Sequence, residues 1–357
     1  MAAQAEGTEQ PTVALDGFGA ERGSEVLAEG ARRAAAEGIR VRVFGPPAEL
    51  GLDGDEGVEV VETSEWIGND AEPVRAVRSQ PEASIVRACG DVAGGGSGAV
   101  ASVGSTGAAM AAATFGLRRL QGVQRPALAV LLPVPGKPVL FLDVGANVEA
   151  RPEHLVQFAF LGAAFSAAVL GVESPRVGLL TVGEESGKGT QTVVAAHDRL
   201  ASAQGLDFAG NLEGADLPVG AADVVVTDGF TGNVALKLME GTAKTVTGAV
   251  RDAARSNPLA AIGGLLMRPA LGGLRREFDP DNTGGAVLLG LRSVAVVGHG
   301  RSGPEGVANA IRLAARCVRQ RAVERTEELL RTGHAGRGEL AEEKDPRRQP
   351  GVIGRAQ

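Results

Sequence analysis

A chain of 357 residues with 44% hydrophobic and 22% charged side chains can bury a sizeable core, and its formal net charge of -7 argues against a general nucleic-acid binder. Aromatic residues make up only 3% and Tyr is absent, so platforms for stacking bases are scarce as well. The two cysteines, Cys89 and Cys317, stand far apart with no CxxC and no flanking His, which excludes a structural zinc site built from them and reads as buried or incidental thiols in a reducing compartment.

Residues 1–11 carry neither the basic nor the apolar region of a signal peptide and read as a disordered tail. After them the pattern of strand, Gly-rich elbow and helix repeats. Residues 13–16 (VALD) form a strand that enters GFGAERG, and 25–37 follow with helical periodicity. Gly17, Gly19 and Gly23 approach a dinucleotide fingerprint, but the last spacing is one residue too long and no acidic residue is placed to hold a ribose. Strands are expected at 41–44 and 58–61, and 66–79 is less regular. Residues 84–89 open the next unit, and 90–98 (GDVAGGGSG) read as a flexible loop. A strand at 101–103 then leads through Gly104, Ser105, Thr106 and Gly107 into a small-residue helix at 108–117. The amides and hydroxyls at that helix start suit an anion, and Ser105 reads equally as an N-cap.

Residues 127–132 and 139–143 read as a pair of strands joined by PVPGKP, a hairpin-like arrangement inside a mostly parallel sheet. Asp143 to Asn147 (DVGAN) forms a further polar elbow. Pro152 and Glu153 then suit the start of a helix, and His154 is the one His that sequence places near an elbow, with helix packing as its competing reading. The apolar run 158–172 is shorter than the ~20 residues that span a bilayer. The strand 176–182 ends in GEESGKG, whose spacing is wrong for a P-loop; Lys188 is nonetheless a cation able to meet a phosphate or a developing oxyanion.

After a strand and elbow at 208–214, Val224, Val225 and Val226 read as a strand buried on both faces. The polar elbow 227–233 (TDGFTGN) follows, and then a helix with Ala235, Leu238, Met239, Thr242 and Val246 on one face. Residues 258–278 mix apolar residues with arginines and read as an interfacial helix pair exposing Leu265, Leu266, Met267, Leu271 and Leu274, toward a membrane, a dimer interface or a pocket mouth. A helix is expected at 284–290, a strand at 293–297 ending at His299, and one long helix over 305–330. Residues 333–357 read as disordered.

These units make a single three-layer α/β/α domain over 12–332 with a mostly parallel sheet. The elbows at Asp16, Gly104, Asp143, Gly183, Asn211 and Asp228 are expected to gather along one carboxyl edge, where such folds bind ligands. No GxSxG, CxxC or HExxH is present, so no metal or covalent serine chemistry is expected. Many donors with Lys and Asn but no evident protein nucleophile suit a reaction whose nucleophile is itself an anion.

The ordered runs PVLFLDVGANVEARPEHLVQFAFLGAAFSAAVLGVESPRVGLLTVGEESGKGT, FAGNLEGADLPVGAADVVVTDGFTGNVALKLMEG and NTGGAVLLGLRSVAVVGHGRSGPEGVANAIRLA resemble the PlsX family of phosphate acyltransferases, and the similarity covers about 13–330. It implies a fold similar to the isocitrate and isopropylmalate dehydrogenases, and the conversion of acyl-[acyl carrier protein] and inorganic phosphate to acyl phosphate, a step feeding phospholipid synthesis. It further implies a homodimer with peripheral membrane contact; the missing signal peptide and the short apolar run lead to the expectation of a cytoplasmic protein, and no cofactor is expected. Lys188 and Asn233 match the family's catalytic lysine and asparagine. Asp16, Gly104, Ser105, Thr106, Gly107, Asn147, Asp228, Gly229, Thr231, Gly232 and His299 are the expected substrate- and phosphate-binding set. The chain departs from the family pattern at Gly19-Ala20-Glu21, at Ser105 in place of Asn, and at Val287 in place of Pro. A dehydrogenase of the same fold would need a clean cofactor loop and metal-binding aspartates, and a non-catalytic membrane-associated scaffold would use 258–278 alone.

Overall fold

Short apolar runs bounded by glycine become strands here because helices cover both of their faces. The computed structural model describes residues 10–134, 136–263, 265–267, 280–333 and 335–336. The expected disordered tails therefore lie largely outside the described residues, as do Leu271 and Leu274.

The strands are β1 (Thr12–Asp16), β2 (Arg40–Gly45), β3 (Val58–Glu62), β4 (Ala99–Ser102), β5 (Ala127–Leu132), β6 (Val139–Leu142), β7 (Arg176–Leu180), β8 (Asp207–Leu212), β9 (Val224–Val226), β10 (Ala286–Leu289) and β11 (Val294–Val297). They form one sheet in the order β3-β2-β1-β4-β11-β10-β5-β6-β9-β7-β8. Pairing is parallel except at β11–β10, β10–β5 and β5–β6.

Alternate residues of a strand face opposite sides, and the core divides accordingly. Val13 and Leu15 of β1 and Val224 and Val226 of β9 join one apolar cluster, while Ala14 and Val225 join the other. The first cluster is capped by helices α1 (Ser24–Ala36), α2 (Pro47–Leu50), α6 (Pro152–Phe165), α7 (Gln191–Ala201), α10 (Pro304–Arg319) and α11 (Ala322–Thr332). The second lies under α3 (Pro73–Ser79), α4 (Ser84–Ala93), α5 (Thr106–Gly116) and the first turns of α8 (Gly229–Ala253). This is the expected α/β/α sandwich.

Among the described residues one helical stretch, Pro152–Leu170, is long and apolar enough to cross a membrane, but 89% of its most apolar window is buried inside the protein. Phe158, Phe160 and Phe165 are among its fully buried side chains.

Four expectations need correction. Residues 84–93 are helical, because Ile85, Ala88, Cys89 and Val92 fall at helical spacing and are all buried. Residues 286–289 form strand β10 and not a helix; Gly284 and Gly285 hold left-handed φ of 79° and 95°, which a helix cannot use, and the four apolar residues after them are buried. The helix expected over 305–330 is broken between α10 and α11, where Arg321 adopts φ 51° without a Gly or Pro to signal it. On α8, Ala235, Leu236 and Met239 pack on the core, whereas Leu238 and Val246 of the expected inner face are 68% and 56% exposed.

The elbows also do not share one edge. Three antiparallel pairings in succession reverse the direction of the sheet's second half. Strands β1, β4 and β11 therefore end at one edge, and β6, β7, β8 and β9 end at the other.

Candidate active site

At the second edge, β9 lies between β6 and β7, so the elbows carrying Asp143, Asp228 and Lys188 emerge from three adjacent strands. The foundation is Asp143, which is completely buried. Its Oδ1 accepts from the backbone N–H groups of Leu128 (3.0 Å), Gly145 (3.2 Å) and Ala146 (2.9 Å), and its Oδ2 accepts from the Asn147 backbone N–H and Nδ2, both at 2.7 Å. Burial pushes the carboxyl above the usual carboxylate range, and the N–H donors oppose that by favouring the ionised form. Asn147 Nδ2 also donates to the Pro126 carbonyl at 2.7 Å, so this side chain braces the loop and offers its amide to the protein's own backbone.

The loop so held receives the start of α8. Gly229 N–H donates to the Asn147 carbonyl at 2.7 Å. A Cβ on Gly229 would stand 2.6 Å from that carbonyl oxygen, and one on Gly232 would stand 1.8 Å from the Asp143 carbonyl oxygen. Only glycine permits this approach. Asp228 caps the helix, with Oδ1 accepting from Thr231 N–H (2.9 Å) and Oδ2 from Thr231 Oγ1 (2.8 Å). The amides of Gly229, Thr231 and Gly232 are thus committed within the elbow. The donor it presents outward is the exposed Asn233 side-chain amide, whose Cβ and Cγ lie 3.9 Å from where Gly145 would carry a Cβ.

Lys188 sits in the loop after β7, exposed, its backbone N–H donating to the Glu185 carbonyl at 3.0 Å. Among the described residues its ammonium holds no ion pair, which leaves the charge available to an anion.

The remaining expected residues lie at the opposite edge. Asp16, only 5% exposed at the end of β1, accepts from Ser84 Oγ (2.5 Å) and Ser102 Oγ (2.7 Å), and burial raises its pKa against those bonds. It lines a small pocket with Gly104 and Ser105 at whose edge Phe18 stacks on Trp66, ring centroids 6.2 Å apart. Ser105 is the N-cap of α5, accepting from Ala108 N–H at 3.5 Å; Thr106 and Gly107 are the helix's first residues. His299, exposed after β11, accepts from Arg301 N–H through Nδ1 at 3.1 Å. His154 is buried, and its Nδ1 accepts from Arg151 N–H at 3.2 Å, so it caps α6. Sequence placed Asp143 at an elbow but gave its carboxylate no role, and it gave no prominence to His197, which the fold links through Asn211 to the Lys188 loop. Among the described residues no cluster of three or more His, Cys, Asp or Glu side chains could hold a metal.

Residues 12–325 match the family described as "Fatty acid synthesis protein". Over 314 residues the chain is 43% identical to the phosphate acyltransferase of Elusimicrobium minutum, covering 86% of this chain and 92% of that one. The chain belongs to the phosphate acyltransferase family. The phosphate acyltransferase of Thermobifida fusca is 42% identical over 335 residues, covering 91% of this chain and 92% of its own. In fold, the protein is similar to a phosphotransacetylase from Streptococcus pyogenes (TM-score 0.58, 17% identity, 88% and 94% of the two chains). It is also similar to 4-hydroxythreonine-4-phosphate dehydrogenase from Klebsiella pneumoniae (TM-score 0.52, 14% identity, 87% and 100%). The dehydrogenase-like fold expected for this phosphate acyltransferase family member is therefore present.

Two predictions follow the geometry. Gly232→Ala forces α8 away from the Asp143 carbonyl, and urea unfolding should register a loss of about 1–3 kcal/mol. Gly241→Ala, in the same helix with open space around its Cβ, should be tolerated. The second concerns Asp16, whose folded pKa lies above its ordinary value of 3.8. Stability from this group is highest below that value and falls as pH rises through the folded pKa, because the fold then holds a buried charge. Asp16→Asn should flatten this fall in denaturation measured from pH 4 to pH 7.

Proposed function

We propose that this chain transfers an acyl group from an acyl-[acyl carrier protein] thioester to inorganic phosphate, making an acyl phosphate that feeds phospholipid synthesis. The observation that carries the reading is the emergence of the Lys188 loop and the Asn233 elbow from the ends of the neighbouring strands β7 and β9. Membership of the phosphate acyltransferase family supports it.

In this reading a phosphate oxygen attacks the thioester carbonyl carbon. The carbon–sulfur bond breaks, and the carrier leaves as a thiolate that takes up a proton. Phosphate is already an anion at neutral pH, so no protein base is required. Lys188 neutralises part of the phosphate charge and holds the dianion beside the acyl carbon, which converts a bimolecular encounter into an oriented one. The Asn233 amide donates to the oxygen that becomes negative in the tetrahedral intermediate. Gly229 and Gly232 let that amide sit against the β6 elbow, and Asp228, Thr231 and Asn147 hold the elbow's shape. The Asp16, Gly104 to Gly107 and His299 group, at the other edge, takes part in substrate binding away from the reacting bond. A coenzyme A thioester would serve the same chemistry.

The protein is further proposed to work as a cytoplasmic homodimer that touches the membrane peripherally. Exposed apolar side chains support both contacts: Phe230, Val234, Leu238, Val246 and Val250 on α8, and Leu259, Ile262, Leu265, Leu266 and Met267 on helix α9 (Pro258–Met267). The α8 residues suit a second copy, and α9 suits a lipid surface.

Lys188→Ala is expected to abolish acyl-phosphate formation from acyl-carrier protein and labelled phosphate while leaving the unfolding midpoint unchanged, and an active variant would sink the assignment. For the membrane contact, Leu266→Glu should cut the fraction of protein floating with anionic liposomes by roughly tenfold; undiminished flotation would count against α9.

A further inference from the structure

Edge strand β8 does not run regularly beside β7. Val177 pairs with Phe208, but the next residue, Gly178, pairs with Gly210, so Ala209 is an extra residue in the ladder, and Gly210 takes φ 94°. In a regular strand residues three apart point to opposite faces. The bulge removes that opposition and brings Phe208 and Asn211 to the same side, toward α7. Both meet His197 there: the ring packs edge-on against Phe208 with centroids 5.2 Å apart, and Nδ1 lies 2.9 Å from Asn211 Oδ1.

The other end of the Asn211 amide reaches the Lys188 loop. Nδ2 donates to the Glu185 carbonyl at 2.7 Å, the same carbonyl that accepts the Lys188 backbone N–H at 3.0 Å. A carbonyl can only accept, so Nδ2 must face Glu185 and Oδ1 must face the imidazole. His197 Nδ1 therefore carries a proton and donates it. Thr181 Oγ1 donates to the Lys188 carbonyl at 3.3 Å and holds the loop's far side.

We propose that His197 and Asn211 are positioning residues for Lys188: the imidazole orients a buried amide, and that amide clamps the turn on which the lysine is carried. The proposal rests on Lys188 being the cation that meets phosphate. His197 touches no reacting atom in this scheme. Its contribution is to fix which way Asn211 faces, since an unoriented amide could turn its oxygen toward the Glu185 carbonyl and release the turn. The β8 bulge is the backbone feature that makes the arrangement reachable.

The test uses the full-length chain with His197→Leu, Asn211→Leu, His197→Asn and Lys188→Ala, read by hydrogen–deuterium exchange of the 183–189 segment and by kcat and KM for phosphate. His197→Asn keeps an N–H donor at the position of Nδ1. In both leucine variants exchange of 183–189 should rise and kcat should fall about tenfold to a hundredfold, the size expected when a reacting group shifts by about an ångström. His197→Asn should restore both, and thermal unfolding should stay near that of the parent. Unchanged exchange in the leucine variants overturns the proposal, whatever their activity. Raised exchange with undiminished kcat, alongside an inactive Lys188→Ala, overturns the positioning role. Equal losses in His197→Asn and His197→Leu overturn the orienting role. If Lys188→Ala is fully active, the assigned function fails, and the exchange readout still decides whether the pair holds the loop.

Discussion

The candidate site hangs on one buried carboxylate. Asp143 gathers the N–H groups of Leu128, Gly145, Ala146 and Asn147, and so ties the start of β5 to the turn leaving β6. Burial opposes its charge, and the ring of donors supports it, so the turn is rigid because relaxing it would strand the carboxylate in an apolar surround. That rigidity is then passed on. The Asn147 carbonyl takes the first amide of α8, and Gly232 lies almost on the Asp143 carbonyl, which sets where Asn233 projects. A side chain at the surface is thus located by a group with no exposure.

The three central antiparallel pairings have an equally physical consequence. Had the sheet been parallel throughout, every Gly-rich elbow would face one cleft. With β10 and β6 running against β11 and β5, the chain builds two separate rims. The rim around Asp16 holds a carboxyl that is bonded to Ser84 and Ser102 and whose charge burial disfavours, whereas the rim around Asn233 presents an amide and, one strand away, the Lys188 ammonium.

Helix α8 links this site to the protein's surroundings. Its first turns pack through Ala235, Leu236 and Met239, and beyond them most of a helix about 37 Å long stands away from the core with apolar residues on show. A helix so exposed draws little stability from its own propensity, with Gly241, Gly248 and several β-branched residues in it. Any contact made along its length would therefore also bear on the end that carries Asn233.

Local chemistry made much of this legible from sequence alone. Period-two and period-3.6 apolar patterns located nearly all strands and several helices, Ser105 announced a helix cap, and Lys188 marked a loop able to approach an anion, because each of these signals acts within a few residues. The α/β/α class followed from their alternation. The PVPGKP turn also gave the antiparallel β5–β6 pair, but the direction of β10 did not follow, since AVLL reads alike whichever way a neighbour runs. Nor did the break at Arg321, the outward turn of Leu238, or the meeting of His197 with Asn211, fourteen residues away. These depend on long-range packing and on a single extra residue in β8. Sequence determined which elements form and which residues can do chemistry; the tertiary structure decided which edge each one occupies and what holds it there, because those are contacts between distant parts of the chain.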